Sequence, residues 1–578
     1  MRQSFVPTPQ QQAVIDHEGS AFITACPGAG KTRVMVERAR VLMGRTDRRG
    51  VAILSFTNAA VEEIQDRMIA QGVLPTPPFP NFVGTFDAFL WQFFVAPFEL
   101  PGSTQPPKLI PDKDKIEIRP FTGMLGIPLE CFDRLTGQLR PGRRLQMTGF
   151  NPSADPNRTA RYESAAASVR RRMFQDGEID FAEAREIARE RMHNKGLCAA
   201  LANALTARFV EVMVDEAQDC NPEDLKIIDW LREAGIPTKV ICDPHQSIYA
   251  FRGGVTDELF RYADSFDADQ KLSLSGNFRS SSNICKAIVG FRAAAYRETV
   301  DQALGPNQNA DLAIQVISYA GRAVPAGIGE VFCASVKARK IRPQDAPILA
   351  ATKQSCAHAS GQPAPPERST LTIRLASAVS EFHFALESGD VRDVLKDLHA
   401  IVLEIGGKLT DQTYHQHVAE ALLNDTNWRA EVIAIARQLK YDPAVFRDAA
   451  EWHTKAKQVL APYHGHAGRT IGQTLQNSAE LLSVLMPSKK AAPPRTIHSV
   501  KGREYPGVCV VLTTSSAKGI LEYLETGAPA ERAESAREIY VAASRAERFL
   551  AIAVPKSQAK RLEAHLTKTG AKVEIVTV

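Results

Sequence analysis

A chain of 578 residues has room for about four domains at ~100–200 residues each. Its 44% hydrophobic and 23% charged residues exclude a mostly disordered chain, and apolar runs such as Val508–Leu512 fall far short of the ~20 residues that cross a bilayer. A net charge of +5 permits nucleic-acid binding without demanding it, so the function must come from motifs.

In chain order, Met1-Arg2-Gln3-Ser4-Phe5 lacks the apolar core of a secretory signal. Ala21–Thr24 reads as a short strand, followed by a Gly-rich loop and a helix from Thr32 to Met43. Val51–Phe56 is a second strand, leading into a helix over Ala59–Gln71. Strands alternating with helices imply a parallel sheet. From 89 to 194 the character changes: a Pro-rich stretch, Pro101 to Pro111, precedes an Arg-rich, helix-prone region. Val210–Val214 is a strand of the buried type, and Asn221-Pro222-Glu223-Asp224 opens a helix, with an Asn cap, Pro in the first turn and acids at the positive end of the dipole. Pro-rich segments at Gly361–Pro366 and Pro487–Pro494 bracket a mostly helical region. A strand at Val508–Leu512, a helix at Glu531–Ala546 and a last strand at Phe549–Val554 follow.

Nine cysteines stand alone, at 26, 131, 198, 220, 242, 285, 333, 356 and 509, without a C-x-x-C pair or a Cys/His cluster. Reduced thiols in a cytoplasmic protein are expected, with no structural zinc, no iron–sulfur centre and no membrane partner.

Ala25-Cys26-Pro27-Gly28-Ala29-Gly30-Lys31-Thr32 lies between a predicted strand and a predicted helix. Glycines let backbone N–H groups surround phosphates, and the helix N-terminus adds a positive dipole. Lys31 can reach the β- and γ-phosphates of ATP, and Thr32 can ligate Mg²⁺. Ala25 stands where the general P-loop pattern has its first Gly, and an incidental Gly-rich turn is the plain alternative. Val212-Met213-Val214-Asp215-Glu216 ends an apolar strand in two acids, at the sheet edge where open α/β folds bind ligands. Asp215 would hold the metal together with Thr32, and Glu216 would orient and deprotonate an attacking water. Acids at a strand end are usually just solvated; paired with the P-loop they point to nucleoside triphosphate hydrolysis.

With these two strings on the page, Ala25–Thr32 and Asp215-Glu216-Ala217-Gln218-Asp219, the chain resembles superfamily 1 DNA helicases of the UvrD/PcrA/Rep type. Further family motifs follow in order. Thr8-Pro9-Gln10-Gln11 resembles the adenine-reading Gln motif, with Gln11 the expected residue in an ambiguous run of glutamines. Phe56–Ala60 is similar to motif Ia, Gly84–Asp87 to motif Ib, Asp243–Gly253 to motif III and Asn277–Ser280 to motif IV. Thr496–Tyr505 resembles motif V and Tyr540–Ala546 motif VI.

The resemblance implies two RecA-like parallel-sheet α/β P-loop domains, each with a mainly helical insertion. Residues 1–88 and 195–277 would form domain 1A and 89–194 its insertion 1B; 278–355 and 493–578 would form 2A, with 356–492 as a reduced 2B. It also implies an ATP site made by Gln11, Pro27, Gly28, Ala29, Gly30, Lys31, Thr32, Arg33, Phe278 and Glu504, the last accepting from the ribose. Gln246 would sense the γ-phosphate, while Arg279 and Arg545 would act as arginine fingers beside Lys31, Asp215 and Glu216. Thr57, Asn58, Thr85, His498 and Ser499 would hydrogen-bond a DNA backbone, and Tyr249 and Phe251 would stack on its bases. Read alone, Phe251 would suit a core. Departures from the family are Phe278 for a Tyr, Phe251 for a Trp, Asp87 for a His, and Pro244-His245 at a more acidic position.

Arg140, Arg143, Arg144, Arg158, Arg161, Arg170, Arg171 and Arg172 fall in the first insertion and read either as a phosphate-binding surface or as a solvated helix face. His415, His417, His453, His464 and His466, in the second, lack a metal-ligand pattern. The expected function is an ATP-dependent 3′→5′ DNA helicase or translocase on single-stranded or tailed DNA, using ATP and Mg²⁺. The alternative is a DNA-sensing ATPase that regulates a partner nuclease of the OLD type, as the coarse similarity to the small UvrD-like subunits of Gabija-type anti-phage systems implies. A helicase–nuclease is disfavoured by the short stretch after motif VI.

Overall fold

The computed structural model describes residues 5–45, 48–75, 77–103, 105–121, 123–248, 256–297, 301–362, 370–388, 391–409, 413–421, 428–465, 468–478, 480–485 and 492–578. Tyr249, Phe251 and His466 lie outside the described residues, as do parts of both Pro-rich segments. The chain divides into two compact units, one of residues Met1–Phe89, Arg189–Pro365 and Ser488–Val578, the other of Leu90–Ala188 and Pro366–Pro487.

The first unit holds two six-stranded sheets, and every strand pair in them is parallel. The first sheet comprises β1 (Ala21–Ala25), β2 (Gly50–Ser55), β3 (Phe82–Thr85), β4 (Phe209–Val214), β5 (Thr238–Cys242) and β6 (Lys271–Leu274), in the order β6-β1-β5-β4-β2-β3. The second comprises β7 (Ile314–Tyr319), β8 (Ile348–Ala350), β9 (Pro494–Thr496), β10 (Tyr505–Val511), β11 (Ala546–Pro555) and β12 (Val573–Thr577), in the order β9-β8-β10-β11-β7-β12. Strands covered on both faces read as unbroken apolar runs, which is how Ala52-Ile53-Leu54, Val212-Met213-Val214 and Val508-Cys509-Val510 come to be wholly buried. These are two RecA-like α/β layers.

The helices that place the candidate site are α1 (Pro9–Asp16), α2 (Lys31–Met43), α3 (Asn58–Ala70), α4 (Pro222–Glu233), α5 (Ala533–Ala543) and α6 (Lys556–Thr567). Asn221 caps α4 through Asp224 N, and Asp224 returns the bond in a capping box. Phe549–Val554 is not the last strand: α6 follows it and leads to β12, which pairs with β7 at the sheet edge. The helix expected over Glu531–Ala546 is shorter, because Ala530–Arg532 form a separate 3₁₀ turn and Ala546 already belongs to β11.

One charged cluster is embedded in the first sheet. Arg38 of α2 donates to both carboxylate oxygens of Glu211 on β4, at 3.1 and 2.7 Å, and to Ile15 O at 2.8 Å. Lys239 of β5 donates to His17 O at 2.9 Å and lies 3.8 Å from Glu211.

The second unit takes in most of both expected insertions, but residues 189–194, 356–365 and 488–492 belong to the first. Short two-stranded ribbons (Lys108–Leu109 with Glu178–Ile179, Glu117–Ile118 with Ile127–Pro128) accompany the helix Pro156–Gln175, which Asp155 caps. The later segment packs helices Leu371–Ser388, Arg392–Ile405 and Ala449–Leu460 around Leu375, Phe382, Leu398 and Trp452. Thr413 Oγ1 donates to Asp112 Oδ1 at 2.6 Å, so the two insertions share a buried contact. Several of the insertion arginines are taken up locally. Arg140 pairs with Asp133, Arg144 donates to Glu130 at 2.7 Å, and Arg170 is buried and donates to Leu129 O at 3.0 Å. Arg158 and Arg161 lie over Phe150 and Phe121, while Arg171 and Arg172 are exposed. His453 is buried with its Nε2 on Leu475 O, as a core histidine, and among the described residues no cluster of three or more His, Cys, Asp or Glu could hold a metal. Among those residues, too, no helix is long and apolar enough to cross a membrane.

Two stability outcomes follow from the buried charges. Glu211→Ala removes the buried counter-charge of Arg38 and Lys239, leaving Arg38 only the exposed Glu18 at 3.7 Å, and should cost about 3 kcal/mol in denaturant unfolding. His399 is buried, stacks on Trp428 at 4.2 Å and has its pKa pushed down by burial to about 4, below the ~6.5 of a free imidazole. Its contribution is therefore present above about pH 6.5 and is lost as pH falls toward about 4. The melting temperature should drop across that window, and the slope should flatten in His399→Gln.

Candidate nucleotide-binding site

The loop between β1 and α2 turns on two glycines in the left-handed region, Gly28 at φ +70° and Gly30 at φ +76°. Gly30 precedes the first residue of α2, so the helix begins at Lys31 with its amino end facing the loop. A Cβ at Gly28 would stand 2.7 Å from Arg279 Cβ and 2.7 Å from Asn277 Oδ1, so a side chain is excluded there. The loop is tied on both sides: Cys26 N donates to Leu274 O at 2.9 Å, and Phe278 N donates to Gly28 O at 2.9 Å. Gln11, buried in the first turn of α1, donates from Nε2 to Ala29 O at 3.0 Å. Its neighbours turn elsewhere, Gln10 to Ser275 and Gln12 to Asp16. Arg33 is exposed, with its guanidinium over the Phe5 ring.

β4 delivers the acid pair at its carboxyl end. Lys31 Nζ lies 3.3 Å from Glu216 Oε1. Burial opposes the ammonium, but Glu216, Asp215 and Asp243 outweigh it and hold Lys31 above the ordinary lysine range. Burial, aided by the Glu216 charge, pushes the Asp215 carboxyl up. Glu216 is also desolvated, yet Lys31 and Lys501 bring it well below the carboxylate range. Its backbone sits at φ +54°, a conformation non-glycine residues adopt rarely and mostly where a site requires it. Asp215 Oδ1 is buried without a hydrogen-bond partner among the described residues. An unpartnered, buried carboxylate oxygen at the carboxyl end of β4, the same edge of the sheet from which β1 leads to Thr32, fits a hard divalent cation such as Mg²⁺.

Two arginines of different character reach this cluster, Arg279 from the chain leading to the second sheet and Arg545 from the turn before β11. Arg545, 3% exposed and one residue before β11, donates from Nη2 to Gln246 Oε1 at 2.5 Å and from Nε to Val541 O at 3.0 Å. Burial and the nearby Arg279 lower its pKa. Arg279 donates to Ser544 O at 2.9 Å and to Glu504 Oε1 at 2.6 Å, so the finger and the ribose-acceptor candidate are paired with each other. Phe278, half-buried, borders Gly276 and Gly305.

The candidate DNA residues among those described sit at strand ends rather than in this cluster. Thr57 caps α3 by accepting from Ala60 N at 3.2 Å, and Asn58 beside it is exposed. Thr85 ends β3, in register with Ser55 of β2, and accepts from Ala88 N at 3.1 Å. His498 and Ser499 lie in the 3₁₀ turn after β9, His498 with Nε2 3.3 Å from Ile248 O and Ser499 donating to Thr496 O at 2.8 Å.

Five residues quoted within the motifs but given no task, Gln218, Asp219, Asp243, Lys501 and Tyr540, prove central to the geometry. Asp243 accepts from Gln246 Nε2 at 2.8 Å and from Tyr540 OH at 3.3 Å. Gln218 accepts from Asp243 N and donates to Glu216. Lys501 donates to both oxygens of Asp219 at 2.6 Å, joining the second sheet's turn to the first sheet's acid loop. Their signal in the sequence is only their place inside the motif strings; the Asp243–Tyr540 and Asp219–Lys501 pairings link residues 297 and 282 positions apart.

Residues 7–119 and 133–267 match the UvrD/REP helicase N-terminal domain. DNA helicase II of Escherichia coli (strain K12) is 26% identical over 292 residues, 48% of this chain and 39% of that protein. ATP-dependent DNA helicase UvrD1 of Mycobacterium tuberculosis (strain ATCC 25618 / H37Rv) is 28% identical over 305 residues, 48% of this chain and 38% of that protein. The chain thus spans about two fifths of the length of these curated relatives. The stretch that carries the P-loop and the acid pair thus matches the UvrD/REP helicase N-terminal domain, and the chain has homology to DNA helicase II.

Proposed function

We propose that the chain is an ATP-hydrolysing DNA helicase or translocase, and that it moves 3′→5′ along single-stranded DNA. The supporting observation is one continuous set of contacts: Lys31 to Glu216, Glu216 to Gln218, Gln218 to Asp243, Asp243 to Gln246, and Gln246 to Arg545 of the second sheet. The direction of travel comes from the family resemblance.

The triphosphate of ATP would lie along the loop from Pro27 to Thr32, with Gln11 beside its base and Phe278 stacking on it. Lys31 would exchange the Glu216 carboxylate for phosphate oxygens, which leaves Glu216 to accept the proton of the attacking water. Arg545 and Arg279 would lower the energy of charge developing on the transferred phosphoryl group, and Gln246 would link that group to Arg545. Thr32 and Asp215 would hold Mg²⁺, which when bound neutralises phosphate charge. Thr57, Asn58, Thr85, His498 and Ser499 would hold the strand's backbone while Tyr249 and Phe251 stack on its bases. Contacts that differ between ATP and ADP states would drive the strand along.

A second reading is an ATPase that senses DNA and controls a partner nuclease of the OLD type, as in anti-phage defence. The local pairing of Arg140, Arg144 and Arg170 favours it, since fewer cations remain in that insertion to grip a duplex. Hydrolysis assays with and without single strands test the site: Lys31→Ala and Glu216→Gln should each lower kcat by ~100-fold or more, and unchanged turnover in both would refute the assignment. Strand displacement separates the readings. Unwinding of a 3′-tailed but not a 5′-tailed duplex supports the motor, whereas DNA-stimulated hydrolysis without unwinding supports the sensor.

A further inference from the structure

We infer that Tyr540 is a positioning residue of the hydrolysis site: through Asp243 it fixes which way the Gln246 carboxamide faces, and so holds Arg545 at that carboxamide's oxygen. The inference rests on the proposed ATP hydrolysis and adds to it a residue that touches neither phosphate nor metal candidate.

The argument starts from what a carboxamide can do. Gln246 is 3% exposed and has an oxygen that only accepts and a nitrogen that only donates. Arg545 has only donors, so it can be satisfied by Gln246 only when Oε1 faces it. That orientation is enforced from the other end, because Nε2 must then face an acceptor, and the acceptor is Asp243 Oδ2 at 2.8 Å. Whatever fixes Asp243 therefore fixes Gln246.

Asp243 is wholly buried at the carboxyl end of β5. One oxygen is held by its own turn, accepting from His245 N at 3.0 Å. The other, which meets Gln246, also accepts from the Tyr540 hydroxyl at 3.3 Å. Tyr540 is itself fully buried on α5, and its oxygen also receives Arg292 Nη2 at 3.3 Å. Arg292 is in turn paired with Asp301 at 2.5 Å. A hydroxyl that accepts from a guanidinium has its proton directed to the remaining acceptor, Asp243. The His245 ring lies edge-on to Tyr540, with centroids 5.7 Å apart, so the residue at the position where the family is more acidic fixes the ring that carries the hydroxyl.

Tyr540 and Arg545 stand on one continuous stretch that leads into the second sheet, at the end of α5 and just before β11. They reach the Asp243–Gln246 pair of the first sheet as two prongs, one on the carboxylate and one on the carboxamide. Any movement of α5 relative to β5 changes both contacts together. Tyr540 thereby makes the direction of the Gln246 oxygen depend on where the second sheet stands.

Tyr540→Phe removes the hydroxyl and keeps the ring. The expected result is a fall of about tenfold in kcat for DNA-stimulated ATP hydrolysis, the size of one charge-assisted hydrogen bond, with KM for ATP and the affinity for a fluorescent ADP analogue within about twofold of wild type. The same substitution in an Arg545→Lys background should then change kcat by less than about twofold, since the guanidinium it positions is gone. A Tyr540→Phe protein with wild-type kcat overturns the inference, as does an equal tenfold loss in the Arg545→Lys background, which would mark a structural role. Wild type and Lys31→Ala are assayed alongside: hydrolysis that does not depend on Lys31 refutes the proposed site, and the inference with it, before Tyr540 is considered.

Discussion

Four charged groups, Lys31, Asp215, Glu216 and Arg545, are withdrawn from bulk water at the place where two parallel sheets meet, and the rest of the site follows from how they are satisfied. A buried charge costs several kcal/mol unless a partner and hydrogen bonds compensate it. Lys31 is compensated by Glu216. Among the described residues Arg545 has no carboxylate as hydrogen-bond partner and rests instead on neutral oxygens of Gln246, Val541 and Ser544. Asp215 is left with an oxygen that nothing in the described protein answers. The pocket is thus balanced on the lysine side and open on the aspartate and arginine side, the distribution a polyanion with its cation would complete.

Parallel sheets explain why these groups meet at all. Every strand in each sheet ends at the same edge, so the loops after β1, β4 and β5 share one rim, and Ala25, Val214 and Cys242 end the strands that lead to Lys31, Asp215 and Gln246. Gly28 is the point of closest approach: its missing side chain lets the loop reach the Asn277–Arg279 segment, so the phosphate loop and the chain leading to the second sheet are in contact. A side chain there would push the two apart before any nucleotide arrived.

What could be read in advance is what local sequence encodes. A run of apolar residues followed by a Gly-rich turn, or by two acids, declares a buried strand and what hangs from its end; β1, β2, β4 and β10 and their loops are of this kind. β12 was not legible because Val573-Glu574-Ile575-Val576-Thr577 is an edge strand with polar residues and partial exposure, and only its pairing with β7 makes it a strand. β9, three residues beginning with a proline, carries no periodicity at all. The Asp243, Tyr540 and Lys501 contacts were invisible for another reason: each joins residues roughly 280 to 300 positions apart, and no spacing rule reaches that far. The Thr413–Asp112 bond inside the second unit, between residues 301 positions apart, escaped for the same reason.

The two arginines at the rim illustrate how burial sets what a side chain can do. Arg279 is held on one side by a main-chain carbonyl and on the other by Glu504, whose side chain is 50% exposed. The Glu504 half of the pair is open to water while the Arg279 side chain is 10% exposed, so the carboxylate can move into solvent at little cost and free Arg279 on that side for another acceptor. Arg545 has no such freedom: all its contacts are buried, and leaving Gln246 without a replacement acceptor would cost the desolvation of both groups. A group that exchanges partners cheaply responds to a ligand by turning its side chain, whereas a group locked among buried partners responds only by carrying its backbone along. Arg279 can therefore answer a ligand locally, while any shift of Arg545 has to be shared by α5, β11 and the sheet they belong to.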